Sequence, residues 1–171
     1  KADAWALLDS FNLAVTEGTA GKKKKNLLSD RLIEVIEKNA DRIARLWLED
    51  VTTNHSTEGY HHVDRDDLFN RAYGIISQFG RWLGGYYRYQ DIRNFYTELG
   101  SERHQAGFKL SEVLSAQSLL KKHIWEFALS RGMWQKTLDI YMALELARRI
   151  VVFFDKAAFY TTKGYEGKAG A

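Results

Sequence analysis

The stretch 133–162, MWQKTLDIYMALELARRIVVFFDKAAFYTT, decides the fold, because it reads as one long carboxy-terminal helix. Its apolar side chains recur with alternating steps of four and three, which places them along a single helix face. These residues, which we call the seam, are Ile140, Leu144, Ala147, Val151, Phe154 and Ala158. Around residues 150–154 a second face is apolar as well, so the helix needs two partners. Either the helix is fully buried in its own core, or the seam contacts a second copy of the chain.

The composition indicates an all-α protein. The chain has 171 residues, enough for one domain with a sizeable core, and it contains no proline. Proline is most damaging inside helices, so its absence favours helical structure throughout. There is also no cysteine, which excludes a disulfide framework, a thiol nucleophile and a thiolate metal site.

The excess of positive charge comes from one tract. The formal net charge is +3, and Lys22 to Lys25 supply four positive charges, which leaves 3 − 4 = −1 for the rest. A nucleic-acid-binding domain should carry basic residues across a folded face, so we expect no nucleic-acid partner. No apolar run has the length of a membrane span and nothing resembles a signal peptide. We therefore expect a cytoplasmic protein without membrane insertion.

Helical periodicity divides the chain into about six helices. Residues 1–25 are predicted to form an amino-terminal helix, with Trp5 and Phe11 on its apolar face, and a lysine-rich linker. The main helical domain covers residues 26–163, with helices over 29–50, 64–83, 86–107 and 110–131 before the long one. Residues 52–63 have no periodicity and are predicted to form a loop, and 164–171 a flexible tail.

The sequence carries no catalytic signature, and we predict that the protein is not an enzyme. There is no nucleophile elbow, phosphate-binding loop or dinucleotide fingerprint. His61, His62 and Asp64 lie close together, as metal ligands would, but they lack the i, i+4 histidine pair that holds a metal on a helix. The neighbouring carboxylates are better explained as charges that open a helix, so we predict no metal site.

The aromatic residues suggest a second kind of site. Helical domains place ligands in apolar pockets between their helices. The candidate pocket residues are Trp47, Phe79, Trp82, Phe95 and Trp125. The alternative is that these side chains only fill the core.

Three segments carry a family resemblance: LGSERHQAGFKLSEVL at 99–114, LLSDRL at 27–32 and LLKKHIW at 119–125. Together they resemble the RsbRD-type amino-terminal sensory domain of bacterial stressosome co-antagonists. The resemblance implies a globin-like helical domain without haem, usually dimeric, whose final helix passes on a signal. The helical stripes by themselves fit a simple up-and-down bundle equally well.

The resemblance implies a sensory or regulatory protein-interaction module in a bacterial stress response. Because the sequence ends at Ala171, soon after the long helix, we expect a stand-alone module. It would form a homodimer through the seam, to which Trp5 and Phe11 add, and would signal to an unknown regulatory protein by repacking its helices.

The alternative function is a haem-binding gas sensor. Related globin-coupled sensors hold haem through a histidine before the glycine at this junction, which makes His104 the candidate haem ligand. The family's ligand lies four residues before the glycine, and counting back from Gly107 gives Arg103. A shift of one residue turns a helical side chain by about 100° and would aim His104 away from the pocket. We therefore expect no cofactor, with haem as the alternative.

Overall fold

The computed structural model describes residues 29–83, 89–131 and 136–169, and every regular element in these ranges is helical. The elements are α1 (Asp30–Lys38), α2 (Ala40–Val51), a 3₁₀ helix (His55–Tyr60), α3 (Arg65–Ile76), α4 (Phe79–Leu83), α5 (Tyr89–Gln105), α6 (Leu110–Arg131) and α7 (Thr137–Ala169). The prediction of an all-α fold with a long carboxy-terminal helix is confirmed. The globin-like arrangement of these helices stays a prediction.

Helix α7 has 33 residues, which corresponds to about 50 Å. It runs to Ala169, so residues 164–169, which were predicted to belong to a flexible tail, are helical. The first residues of this segment pack on the body of the protein. Gly164 lies against the backbone of Thr97, and the Tyr165 hydroxyl donates a 2.6 Å hydrogen bond to the Phe108 carbonyl.

Several helix boundaries differ from the predicted ones, because the backbone changes direction where the apolar periodicity continues. The helix expected over 29–50 breaks at Asn39, whose backbone leaves the helical region and whose side-chain amide donates to the Val35 carbonyl at 2.8 Å. The helix expected over 64–83 is divided into α3 and α4. The expected loop over 52–63 contains the 3₁₀ helix, at whose start the Asn54 side chain accepts from the Ser56 amide at 3.0 Å.

Helices α5 and α7 form the most extensive contact between elements in the described part of the chain. Two glycines make it unusually close. A methyl group added at Gly100 would lie 2.0 Å from the Thr161 carbonyl oxygen, and one at Gly164 would lie 1.9 Å from the Thr97 carbonyl oxygen. We call this contact the glycine crossing. Only glycine fits at these positions, because the opposing atoms are backbone atoms that cannot rotate away.

A turn at Gly107 separates α5 from α6. Its φ of +80° lies in the left-handed region, and the amide of Phe108 donates to the Arg103 carbonyl at 3.0 Å, which closes the end of α5. This turn sets the angle at which α6 leaves.

The start of α1 is fixed to the middle of α7 by polar contacts. The buried Arg149 donates to the Ser29 hydroxyl at 2.6 Å and to the Asp30 carboxylate at 3.0 Å. The Ser29 amide in turn donates to Glu145 at 3.0 Å. Trp5 and Phe11, which were predicted to add to the seam, lie outside the described residues. None of the described helices combines the length and hydropathy that crossing a membrane requires.

Candidate functional site

A cavity of about 760 Å³ lies between the helices. We call it the central cavity. Its wall includes residues from every described helix except α1, and Phe154 is the contribution of α7. A volume of this size is typical of sites that enclose small molecules.

Three of the five predicted pocket residues line this cavity: Trp47, Trp82 and Phe95. Trp82 and Phe95 are neighbours, with ring centroids 5.5 Å apart. The indole nitrogen of Trp47 donates to the Ala116 carbonyl at 2.9 Å, which fixes the ring at the cavity wall. A rigid aromatic surface of this kind favours flat, apolar ligands.

The other two predicted residues lie elsewhere. Phe79 is fully buried, and its ring meets that of Phe153 edge-on at 5.8 Å. Trp125 is half-buried and packs against the core. Neither ring contributes to the cavity wall. Helical spacing places an aromatic residue on the inner face, but it does not distinguish a wall from a filled core.

Several polar residues of the wall were not predicted as pocket residues, and two of them matter most for binding. Arg103, on α5, and Gln117, on α6, both line the cavity. The Arg103 guanidinium lies over the rings of Tyr60 and Phe108, 5.2 and 4.8 Å from their centroids, where it makes cation–π contacts. The count from Gly107 was the one sequence signal that pointed to Arg103. Nothing in the pattern singled out Gln117.

The tyrosines of the wall are neutral at physiological pH. Burial is the main influence on Tyr60 and raises its pKa to about 12, and burial likewise raises the pKa of Tyr96 well above its ordinary value. Neither phenol therefore supplies a negative charge to balance Arg103.

Glu112 holds the 3₁₀ helix against the start of α6. Its two carboxylate oxygens accept from the backbone amides of Gly59 and Lys109, both at 3.0 Å. Burial alone would raise the Glu112 pKa, but the two amide hydrogen bonds outweigh it, with help from the charge of Lys109, and the pKa falls below the ordinary 4.5. This contact positions Tyr60, which follows Gly59 and forms part of the cavity wall.

His104, the candidate haem ligand, is not among the residues of the cavity wall. Its ring packs edge-on against Tyr165, with centroids 4.7 Å apart, and its Nδ1 atom is buried without a hydrogen-bond partner among the described residues. Arg103, one position earlier, faces the cavity instead. Haem ligation by His104 therefore has no support from the geometry of this site.

The histidine-rich segment serves local structure. Asp64 caps α3, and its Oδ1 accepts from the amides of Asp66 and Asp67 at 2.9 and 3.0 Å. His61 Nε2 lies 3.0 Å from the Asn54 carbonyl oxygen, while His62 is exposed. Across the described ranges, no three histidine or carboxylate side chains are grouped as metal ligands would be.

The seam changes its environment along α7. In the first half of the helix Ile140, Leu144 and Val151 are 51%, 61% and 48% exposed, and Ala147 is half-buried. Phe154 faces the interior of its own chain and is only 4% exposed, and Ala158 is half-buried. One helix face therefore runs from an exposed apolar surface into the wall of the central cavity. The part of the seam that a second copy could contact ends at Val151.

Comparison with known proteins identifies a family. The family model described as the RsbT co-antagonist protein rsbRD N-terminal domain matches residues 40–168, well over half of the chain. No curated protein and no solved structure matches. The matched range contains the central cavity, the glycine crossing and the exposed half of the seam.

Proposed function

We propose that this chain, which belongs to the family of RsbT co-antagonist rsbRD N-terminal domains, forms a homodimer through the exposed half of its seam. Members of this family are stressosome-related regulatory or sensory modules. The proposal adds a mechanism to that description. A change in the central cavity repacks α7 and so alters the surface through which two copies, or a regulatory protein in the bacterial cytoplasm, make contact.

The dimer proposal rests on a group of exposed apolar side chains. Nine large apolar side chains are exposed among the described residues, and five of them lie in the first half of α7: Leu138, Ile140, Tyr141, Leu144 and Val151. Apolar surface that is grouped in this way is typical of protein–protein interfaces, whereas scattered exposed apolar residues are not. A second copy fits this surface because its own seam offers the same apolar stripe, as a two-fold contact requires.

The mechanism rests on the position of Phe154. It lines the central cavity and lies one helical turn after Val151, on the same face of the same helix. A ligand that displaces Phe154 therefore acts on the helix that carries the dimer surface. The two sites are joined by one rigid element rather than by a chain of side chains.

The test is analytical ultracentrifugation of the wild type and the Val151→Asp variant. We expect a wild-type dimer at micromolar concentration. We expect Val151→Asp to raise the dissociation constant by at least about 100-fold, because the substitution buries an unpaired carboxylate from each copy.

The matched control is Leu46→Asp. Leu46 lies on α2 and is 46% exposed, nearly the same as Val151, but it is not part of the seam. This variant should dimerise as the wild type does. A wild-type monomer at micromolar concentration, or equal weakening by both variants, would show that the seam is not the interface.

A further inference from the structure

Two polar atoms at the wall of the central cavity lack a partner. Arg103 Nε and Gln117 Oε1 are buried, and neither has a hydrogen bond within the part of the chain that the structure describes. Buried donors and acceptors are almost always paired in proteins, because an unpaired one has lost its water without replacement. A molecule that enters the cavity could supply both partners.

Arg103 forms no ion pair among the described residues, and Glu102, the carboxylate that acts on it, is engaged elsewhere. Arg71, another arginine of the wall, is paired with Glu102 at 3.2 Å. Burial is the main influence on Arg103 and lowers its pKa, but a guanidinium keeps its charge at neutral pH. The wall itself contains two carboxylates, Asp91 and Glu98, and both are exposed. They lie twelve and five residues before Arg103 on α5. The cavity thus contains a half-buried positive charge, with a buried Nε donor, that an anion would balance.

Gln117, on α6, provides a free hydrogen-bond acceptor at the cavity wall. Its Nε2 donates to the Thr161 hydroxyl at 2.7 Å, which leaves Oε1 free. Thr161 is also the residue whose carbonyl contacts Gly100, and Gly100 lies one helical turn before Arg103. The glycine crossing therefore connects the helix segments that carry the acceptor of α6 and the cation of α5, and both residues line the same cavity.

We propose that the central cavity binds an aromatic 2-hydroxy acid. The carboxylate pairs with Arg103, the hydroxyl donates to Gln117 Oε1, and the aromatic ring lies against Trp47, Trp82 and Phe95. Arginine suits this role because its planar donors match a carboxylate. This inference deepens the proposed sensory function, on which it rests, by naming the class of molecule that is sensed.

The test is isothermal titration calorimetry of the full chain with indole-3-lactate. We expect a dissociation constant below about 1 mM, the range in which titration detects binding readily. Tryptophol, which lacks the carboxylate, should bind at least about 10-fold more weakly, because a hydrogen bond to a charged group is lost. Equal binding of the two compounds, or no binding of either, overturns the proposal.

Two further compounds test the contact of the hydroxyl with Gln117 and the preference for an aromatic ring. Indole-3-propionate keeps the ring and the carboxylate but has no hydroxyl, so Gln117→Leu should weaken indole-3-lactate and leave indole-3-propionate unchanged. An equal effect on both compounds overturns the hydroxyl assignment. If 2-hydroxydecanoate, which has an alkyl chain, binds more tightly than indole-3-lactate, the cavity does not select aromatic rings and the proposed class is wrong.

The decisive variant is Arg103→Met, which keeps an unbranched side chain and removes the charge. We expect indole-3-lactate to bind 10-fold to 100-fold more weakly, with binding of tryptophol unchanged. The matched control is Arg131→Met. Arg131 also lies over an aromatic ring, that of Phe127 at 5.2 Å, but it is exposed and outside the cavity. Unchanged binding of indole-3-lactate to Arg103→Met overturns the proposal.

A thermal melt separates binding from folding. If Arg103→Met melts well below the wild type, Arg103→Lys keeps the charge and should retain the preference for indole-3-lactate over tryptophol. If a folded Arg103→Lys variant loses that preference, the carboxylate is recognised by the planar guanidinium and not by charge alone. If both variants fail to fold, Arg103 has a structural role and the binding role is overturned.

Sedimentation of the same samples distinguishes the two proposals. A wild-type dimer that does not bind indole-3-lactate overturns the ligand proposal alone, and a wild-type monomer that binds it overturns the dimer proposal alone.

Discussion

The glycine crossing allows a stability prediction whose size follows from the structure. In a Gly164→Ala variant the new methyl group would lie 1.9 Å from the Thr97 carbonyl oxygen. Real methyl groups stay at least 3.0 Å from such an atom, so α5 and α7 must move apart by about 3.0 − 1.9 = 1.1 Å. The obstacle is backbone, which leaves no side chain that could rotate to make room.

Overpacking of this kind costs typically about 1–3 kcal/mol. Alanine is favoured over glycine inside a helix by about 1 kcal/mol, which offsets part of that cost. Because two long helices must separate, we expect the cost to lie at the upper end and the free energy of unfolding to fall by about 2 kcal/mol. For a chain of this length the melting temperature should fall by roughly 4–8 °C.

The assay is urea unfolding followed by tryptophan fluorescence and circular dichroism. Gly167→Ala is the control, because Gly167 lies three residues further along the same helix and has nothing within 4 Å of the added methyl group. It should unfold at the same urea concentration as the wild type or slightly higher. The double variant Gly100→Ala/Gly164→Ala should lose less than the sum of the two single losses, since one separation accommodates both methyl groups. If Gly164→Ala were as stable as Gly167→Ala, the close approach of α5 and α7 would be refuted.

The remaining predictions concern polar contacts that hold the cavity wall and its neighbouring helix. Glu112→Gln should lower the free energy of unfolding at pH 7 by about 1–3 kcal/mol, because one amide that donates to the carboxylate loses its acceptor. The folded-state pKa of Glu112 is lowered, so its stabilising effect is present above pH 4.5 and is lost as the pH falls through the folded-state pKa. Urea titrations should therefore show the gap between wild type and variant narrowing below about pH 4.5, while a gap that is constant with pH would contradict this. Asp64→Ala should cost about 1 kcal/mol through loss of the α3 cap, and Asp64→Ser should restore most of it in the same assay.

Much of the helical structure could be predicted from periodicity, because each helix buries one face in a common core. The capping of α3 by Asp64 and the turn at Gly107 were also predictable, since both follow from local backbone chemistry. The break at Asn39 was not predicted. The apolar stripe continues across it, and only the hydrogen bond from Asn39 to Val35 shows where the helix ends.

The site was less accessible to sequence analysis for a physical reason. A cavity is space that packing leaves unfilled, so it depends on how several helices meet and not on any one of them. Trp47 and Phe79 have the same kind of periodic position, yet one lines the cavity and the other fills the core. Arg103 and Gln117 could not be identified as unpaired before their surroundings were known, since pairing is a property of the folded chain.

The glycine crossing and the central cavity together constrain how α7 can respond to a ligand. Thr161 and Gly164 fix the carboxy-terminal half of the helix to the backbone of α5, and that half cannot slide without a clash. Phe154 lies between this fixed half and the exposed residues that end at Val151. Under the proposed mechanism, a displacement at Phe154 should therefore appear as a tilt or bend of the amino-terminal half, which is the half that carries the proposed dimer surface. Loosening the crossing by Gly164→Ala should then weaken the effect of a ligand on dimerisation, even where the ligand still binds.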